Sequence, residues 1–66
     1  MTMRTTAFRT LMADEFGQSR AGSIARDHVF AELGGRTADE ALLAGLPAQQ
    51  IWDAVCETYD VPTERR

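Results

Sequence analysis

Helical spacing of the apolar residues, interrupted by glycine at short intervals, is the feature that most constrains the fold of this chain. Along four short segments the apolar residues recur every three or four positions, which is typical of one face of an α-helix. Gly17, the pair Gly34-Gly35 and Gly45 separate these segments. No segment has a convincing strand pattern, so we predict an all-α fold, a single small bundle of three to four short helices.

The N-terminal half predicts two of these helices. The first spans about residues 6–16, with Thr5 or Thr6 as its N-cap. The second spans about residues 19–33 and ends at the glycine pair. Phe30 lies outside the main apolar arc of this second helix. The helix is therefore either the central helix of the bundle or one that carries Phe30 on a contact surface.

The C-terminal half predicts a helix-turn-helix-like pair. Thr37 and Glu40 have the spacing of a capping box, which starts a third helix that ends near residue 44. Pro47 suits the first turn of a fourth helix, where its missing N–H costs nothing. Val61-Pro62 closes that helix, because the residue before a proline resists the helical conformation.

A chain of 66 residues is long enough for one domain, and we expect residues 1–66 to form it, with frayed ends at residues 1–4 and 63–66. A chain this short buries a small core. The residues expected in that core are apolar and lie on the inner faces of the predicted helices: Phe8, Leu11, Phe16, Ile24, Val29, Leu33, Leu42, Ile51, Trp52 and Val55.

Cysteine and histidine usage excludes several kinds of site. Cys56 is the single cysteine and His28 the single histidine, which excludes a disulfide within the chain and a cysteine-histidine zinc site. No acid–base pair and no nucleophile has a helper residue, so we expect no catalytic residue, no cofactor and no metal, and hence no enzyme. No apolar run reaches membrane-spanning length and no signal-peptide core is present, so we expect no membrane segment and a cytoplasmic location.

The acidic balance of the chain disfavours nucleic acid as a partner. The formal net charge is −3 and the pI is about 4.9. The five acidic residues between positions 37 and 60 have no basic residue among them. Affinity for DNA depends on Lys and Arg side chains that displace counterions from the phosphates, so direct nucleic-acid binding is disfavoured.

The helix-turn-helix spacing keeps DNA recognition open as the alternative function. Ala41, Gly45 and Ile51 fall where such a motif places its packing residue, its turn glycine and a core position. Gln49 and Gln50 would open the recognition helix, where glutamine reads adenine edges.

Three residues invite a chemical role but fit a structural one better. His28 lies in the apolar arc and its neighbour Asp27 points about 100° away, so a hydrogen-bonded core or boundary histidine is favoured over a dyad, a ligand or a pH sensor. Cys56 lies among acids near the end of its helix, which would raise its pKa, so it is interpreted as a small apolar residue. Arg36 is interpreted as the partner of a nearby carboxylate rather than as part of an anion cradle.

Several motifs together resemble a known family. Residues 25–29 read Ala-Arg-Asp-His-Val, residues 33–37 read Leu-Gly-Gly-Arg-Thr, residues 51–56 read Ile-Trp-Asp-Ala-Val-Cys, and Val61-Pro62 follows. The combination closely resembles a family of small actinobacterial proteins catalogued as a domain of unknown function. The resemblance covers nearly the whole chain.

Two positions depart from the pattern of that family. Its members open with Met-Arg, an apolar residue and Thr, and here Thr5 stands at the apolar position after Met3. The resemblance therefore leaves Met1 and Met3 open as the translation start. Members often have Asp-Pro where this chain has Leu46-Pro47, and losing that N-cap aspartate weakens the start of the fourth helix by about 1 kcal/mol.

The resemblance implies no activity, cofactor or catalytic residue. It implies genes that often lie near those of the recombinase RecA and its regulator RecX, and hence an accessory role in DNA repair or recombination. The motif residues to which it assigns no role are Asp27, His28, Arg36, Trp52 and Cys56.

Surplus apolar side chains predict a protein partner. Phe30 and Leu43 fall outside the main apolar faces of their predicted helices, so they are candidate residues of a homodimer interface or of a partner interface. The function that we favour is therefore a non-enzymatic protein–protein interaction module.

Overall fold

The computed structural model describes residues 3–66 and contains four α-helices in that range. They are α1 (Thr5–Phe16), α2 (Gln18–Asp27), α3 (Ala38–Leu43) and α4 (Ala48–Tyr59). Two short strands, β1 (Val29–Phe30) and β2 (Arg36–Thr37), lie between α2 and α3, and 3₁₀ turns span Ala31–Leu33 and Thr63–Arg65. The prediction of a small, mostly helical domain is confirmed.

The prediction of a second helix that continues to residue 33 is wrong. α2 ends at Asp27, and His28 has an extended backbone with φ −81° and ψ 124°. The next residues form an antiparallel ribbon of β1 and β2, which the sequence analysis did not predict. The paired residues are Val29 with Thr37 and Phe30 with Arg36. Helical spacing does not separate the end of a helix from a two-residue strand, and Val and Phe both suit a strand.

Gly34 and Gly35 allow the chain to reverse between the two strands. Their φ angles are 73° and 76°, which glycine adopts without strain. The Gly35 amide donates a hydrogen bond to the Phe30 carbonyl at 3.1 Å. A Cβ atom on Gly34 would lie 2.8 Å from the Arg36 guanidinium. The glycine pair therefore belongs to a hairpin connection, not to the end of a long helix.

The predicted threonine N-cap of α1 is wrong. Arg4 occupies the N-cap position and makes no capping hydrogen bond with its side chain. Thr5 and Thr6 are already helical, and the Thr6 carbonyl accepts a hydrogen bond from the Thr10 hydroxyl at 3.0 Å. Met3 packs against the core just before the helix, which fixes where the chain enters α1.

The local signals around α3 are confirmed. The Thr37 hydroxyl accepts from the Glu40 amide at 3.1 Å, and the Glu40 carboxylate accepts from the Thr37 amide at 2.9 Å. Gly45 follows the helix with φ 88°, and the Leu46 amide donates back to the last turn of α3 at 3.0 Å, as in a Schellman motif. Pro47 stands at the N-cap position of α4 rather than inside its first turn.

α4 is the central helix of the bundle. The sequence analysis had given this position as one of two alternatives for the second helix. α4 packs against α1, α3 and β1. Its buried residues cover most of its circumference: Ala48, Ile51, Trp52, Ala54, Val55 and Cys56. Four of its exposed residues form a polar strip: Gln49, Gln50, Asp53 and Glu57. Thr58 is exposed in the last turn, outside this strip.

Most of the predicted core is confirmed. Six of those residues are buried, namely Phe8, Ile24, Leu33, Ile51, Trp52 and Val55, and three are half-buried against them, namely Leu11, Phe16 and Leu42. Val29 is wrong, because alternate side chains of a strand point to opposite faces and Phe30 takes the inner one. The buried apolar residues missing from the prediction are Met12, Ala21, Ala25, Phe30, Ala38, Ala41, Ala48, Ala54, Cys56 and Val61.

The C-terminal residues contact the bundle, while the predicted fraying of residues 63–66 stays a prediction. Arg65 donates two hydrogen bonds to the Glu15 carboxylate, at 2.8 and 2.9 Å. Arg66 donates to the Val61 carbonyl at 2.8 Å. The expectations about fraying at residues 1 and 2, and about Met1 as the start, lie outside the described residues.

Candidate functional site

The clearest concentration of polar and aromatic groups lies where α2 and α4 end. His28 follows α2 as its C-cap residue, and Tyr59 is the last residue of α4. The Tyr59 hydroxyl and His28 Nδ1 are 3.0 Å apart and share a hydrogen bond. The hydroxyl donates to Nδ1 when that nitrogen carries no proton and accepts from it when it does, so the direction of the bond depends on the tautomer.

Aromatic rings hold these two side chains in place. The Tyr59 ring packs edge-on against Phe16 of α1, with 5.3 Å between the ring centroids. The His28 ring lies 5.3 Å from the Tyr59 ring and 4.4 Å from the Phe30 ring, centroid to centroid. Contacts of this kind each contribute about 0.5–1.5 kcal/mol beyond the area that they bury. The prediction of a hydrogen-bonded core or boundary histidine is confirmed, since His28 is half-buried.

An open groove of about 390 Å³ borders this pair. We call it the α2 groove, and its lining residues are Arg20, Ser23, Ile24, Asp27, His28 and Tyr59. Arg20, Ser23 and Asp27 are exposed, whereas Ile24 is buried beneath them. The groove thus has a cation at one end of an α2 face, an anion at the other end, and the imidazole and phenol on the facing wall.

Of the candidate residues from the sequence, the structure brings together Asp27 and His28 in this groove. The Asp27 carboxylate lies 3.8 Å from the Arg26 guanidinium, and both side chains are largely exposed. Such an exposed pair contributes little to stability. Sequence reasoning missed Arg20, Ser23 and Tyr59. The signal in α2 was present, since residues 20, 23 and 27 share one helical face, but nothing local connects that face with Tyr59.

Arg36 makes its side-chain contacts with the backbone between β1 and β2. The predicted ion pair of Arg36 with a carboxylate is wrong. Its guanidinium donates to the Leu33 carbonyl at 3.1 Å and lies over Gly34. The side chain thereby satisfies a backbone acceptor in the connection between β1 and β2, where the 3₁₀ turn leaves carbonyls without helical partners.

Trp52 lies at the centre of the core and is fully buried. Its ring packs edge-on against Phe8 of α1, with centroids 6.4 Å apart. The indole Nε1 has no hydrogen-bond partner among residues 3–66. A buried N–H without a partner costs about 1–3 kcal/mol, so the packing of this ring carries a penalty that its burial offsets.

Cys56 is buried on the inner face of α4 and is a free thiol. Burial raises the pKa of the thiol above its ordinary value, Asp53, Glu15 and Glu57 raise it further, and Arg66 opposes them. The raised pKa agrees with the prediction, but burial is the larger cause. A buried thiol that stays protonated fits the interpretation as a small apolar residue.

The two candidate interface residues have different positions. Phe30 is 1% exposed and belongs to the core, so its side chain is not accessible on the surface of one chain. Its strand turns the side chain inward beside His28. Leu43 is 89% exposed at the end of α3, and Val29 is 57% exposed on β1. Leu43 is therefore the candidate interface residue that remains accessible.

The helix-turn-helix-like half consists of two consecutive helices joined by a short turn, and its outer face is acidic. α3 and α4 pack against each other across the turn at Gly45. Gln49 and Gln50 are exposed at the start of α4. The Gln49 amide donates to the Asp53 carboxylate at 3.0 Å, which places a negative charge beside the side chain that would read a base.

Residues 3–66 lack the side-chain cluster of a metal site and a helix suited to cross a membrane. In that part of the chain, no three His, Cys, Asp or Glu side chains lie together as a metal site requires. None of its helices combines the length and the apolar character that crossing a bilayer needs.

Comparison with known proteins assigns a family. The family model described as "Protein of unknown function (DUF3046)" matches residues 3–64. The chain belongs to this family. No curated protein and no solved structure matches the chain. The fold described above is therefore that of a DUF3046 family member. The family description names no activity.

Proposed function

We propose that this DUF3046 protein is a small non-enzymatic module that binds another protein, with Leu43 as the anchor of the contact. The observation that supports the proposal is the 89% exposure of Leu43, which exceeds the 57% exposure of Val29. Burying a leucine side chain against a partner contributes about 1.5–3 kcal/mol. In a protein of this size, that contribution is a large part of the binding free energy of a specific complex.

The local structure presents Leu43 on a rigid support. The capping box of Thr37 and Glu40 fixes the start of α3, and the turn at Gly45 fixes its end. Arg9 of α1 pairs with Asp39 at 2.8 Å and ties α3 to the bundle. A side chain on a fixed helix loses little entropy when a partner covers it, which favours binding.

The charge of this half of the molecule favours a partner surface of particular chemistry. Between positions 37 and 60 the sequence has acidic residues and no basic ones, and Asp53 and Glu57 lie exposed on α4. A complementary surface has an apolar pocket for Leu43 and Arg or Lys side chains at its rim. Proteins of DNA recombination are the first partners to test, because the gene neighbourhood implied by the family resemblance favours them.

A non-enzymatic role is supported by the state of the reactive side chains. The Cys56 thiol is buried and its pKa is raised by that burial. The His28 imidazole is packed between the Phe30 and Tyr59 rings and already shares a hydrogen bond with Tyr59. Catalysis by either group would require an activated nucleophile or a base with a free path to substrate.

A bait comparison tests the proposal. Wild-type protein, Leu43→Ser and Ala44→Ser are immobilised, and the proteins retained from the native host are quantified by mass spectrometry. Ala44 is the matched control, since it is the exposed C-cap residue next to Leu43. We expect a partner that is retained by the wild type and by Ala44→Ser and is depleted by Leu43→Ser. Its purified form should bind Leu43→Ser at least about tenfold more weakly. Equal binding to all three baits would contradict the proposal.

DNA recognition is the second candidate function, and one observation favours it. The α3-turn-α4 unit has the element order and the turn glycine of a helix-turn-helix, and Gln49 and Gln50 are exposed at the start of its second helix. Asp53 and Glu57 lie on the exposed strip of the same helix. They would face the phosphates of a duplex, so we rank this function below protein binding.

A further inference from the structure

We propose that the α2 groove binds a second copy of this chain, related to the first by a two-fold axis that passes close to Ser23. This surface is separate from the proposed partner contact at Leu43, which lies on α3 and does not line the groove. The two proposals therefore depend on different residues and can be tested independently.

The charges on α2 carry the proposal. Arg20 and Asp27 are both exposed, and both line the α2 groove. They are seven residues apart within α2, which places them within about 20° of each other around the axis and about 10.5 Å apart along it. One face of a single helix thus carries a cation at its N-terminal end and an anion at its C-terminal end.

A two-fold axis makes this face its own complement. In a symmetric dimer, if position i of one chain contacts position j of the other, then j also contacts i. With the axis between Ser23 and Ile24, and the two α2 helices antiparallel, Arg20 faces the Asp27 of the second copy. Asp27 in turn faces the Arg20 of that copy. The dimer gains two equivalent ion pairs from one pattern.

Both charges have weak contacts within their own chain: the Asp27 carboxylate lies 3.8 Å from the Arg26 guanidinium, and the Arg20 guanidinium lies 6.0 Å from the Phe16 ring centroid. Exposed contacts of this kind contribute little, so ion pairs across the dimer can replace them. Arg26 is the third charged residue of the helix, and the same symmetry places it opposite position 21, which is a buried alanine. Ser23 is exposed, lines the groove and has a small side chain, so the two helices can approach closely near the axis.

A second copy fits the groove better than a small charged ligand does. An anion would pair with Arg20 and meet the repulsion of Asp27, and a cation would do the reverse. The facing wall adds the His28–Tyr59 pair, whose polar atoms already bond to each other. A surface that carries one anion and one cation two helical turns apart can pair with Arg20 and Asp27 at the same time. The α2 helix of another copy is such a surface.

The association is expected to be weak and sensitive to salt. One helical face buries less than the area of a standard stable interface. Exposed ion pairs are screened within about 8 Å at physiological ionic strength. We expect dimers to form at about 0.1–1 mM protein in low salt and to dissociate as salt is added.

Charge reversal and mixing test the proposal. Sedimentation equilibrium is measured in low salt for the wild type, for Arg20→Asp, for Asp27→Arg and for an equimolar mixture of these two variants. Each variant alone places like charges opposite each other twice, so we expect its dissociation constant to rise at least about tenfold. In the mixture both contacts become attractive again, so a heterodimer of wild-type strength is expected.

Arg4→Asp is the matched control, because it changes the net charge by the same amount, does not line the groove, and has no ion pair among residues 3–66. It is expected to self-associate like the wild type. A wild type that stays monomeric to about 1 mM would overturn the proposal. So would reversals that leave dimerisation unchanged, or a mixture that fails to recover it. Far-ultraviolet circular dichroism of each variant confirms that all are folded before they are compared.

Discussion

At the scale of single residues, we expect Trp52 to contribute more to the free energy of unfolding than any other side chain. It is fully buried at the centre of the bundle and contacts Phe8. Trp52→Ala removes a large buried side chain, at a cost of about 3–5 kcal/mol. A domain this small rarely has more than about 3–5 kcal/mol in total, so we expect the variant to be largely unfolded. Urea denaturation followed by circular dichroism measures the loss.

Trp52→Phe separates the ring from its unpaired N–H. The phenylalanine keeps most of the buried area and removes the Nε1–H group that has no partner among residues 3–66. We expect a cost of less than half that of Trp52→Ala. Two results would contradict this account of the core: a Trp52→Ala variant as stable as the wild type, or equal costs for both substitutions.

Asp60 is the non-glycine residue with positive φ among residues 3–66, at φ 54° and ψ 45° just after α4. This left-handed conformation costs most side chains about 1–2 kcal/mol, although aspartate tolerates it better than alanine does. Asp60→Gly should therefore raise the free energy of unfolding by about 0.5–1 kcal/mol. Asp60→Ala is the control and should lower it. The opposite order in thermal unfolding would show that Asp60 is held there by something else.

His28 shows how far residue-level prediction reaches. Its place in the apolar arc predicts a histidine that is partly buried and hydrogen-bonded, and both features are observed. Its partner, Tyr59, is 31 positions away in the sequence. No local pattern connects two residues at that separation. The environment of His28 was therefore predictable, whereas the pair that forms the wall of the α2 groove was not.

At the scale of elements, the ion pair between α1 and the C-terminal 3₁₀ turn predicts a pH dependence. Hydrogen bonds from Arg65 lower the pKa of Glu15 from its ordinary value. A carboxyl whose pKa is lower in the folded state stabilises that state fully above its unfolded pKa. The stabilisation is lost as the pH falls through the folded pKa. We therefore expect residues 63–66 to detach in acid.

An NMR titration between about pH 6 and pH 2 follows this detachment through the Glu15 side chain and the Arg65 amide. In Arg65→Gln the Glu15 carboxyl should titrate at a higher pH than in the wild type, and the C-terminal turn should be mobile at neutral pH. Arg66→Gln is the control, since Arg66 bonds to the Val61 carbonyl instead. Identical titration of Glu15 in the wild type and in Arg65→Gln would contradict the ion pair.

Elements whose signals act within one helical turn were predicted well, and the short ribbon was not. The capping box at Thr37 and the glycine after α3 act within one turn of helix, so their sequence spacing is sufficient. In the ribbon, Val29 and Phe30 pair with residues beyond the glycine pair, Thr37 and Arg36. Apolar periodicity assigned Val29 and Phe30 to a helix, because it does not register pairing across a turn.

At the scale of the whole molecule, charge predicts a negative result with DNA. The net charge is −3, and residues 37–60 have no basic residue. We expect no binding to duplex DNA at physiological salt, measured by fluorescence anisotropy with mixed-sequence duplexes. A salt-sensitive complex in the sub-micromolar range would contradict this. Loss of that complex in Gln49→Ala and Gln50→Ala would then assign the helix-turn-helix as its origin.

The proposed function depends above all on contact between the Leu43 side chain and another protein. Site-specific photo-crosslinking in the native host tests this most directly, with a photoreactive residue at position 43 and a control at the exposed Thr10 of α1. We predict a discrete protein adduct from position 43 that is absent from position 10, formed on a partner segment with apolar and basic side chains. The absence of any adduct at position 43, or the same adducts from both positions, would contradict the account.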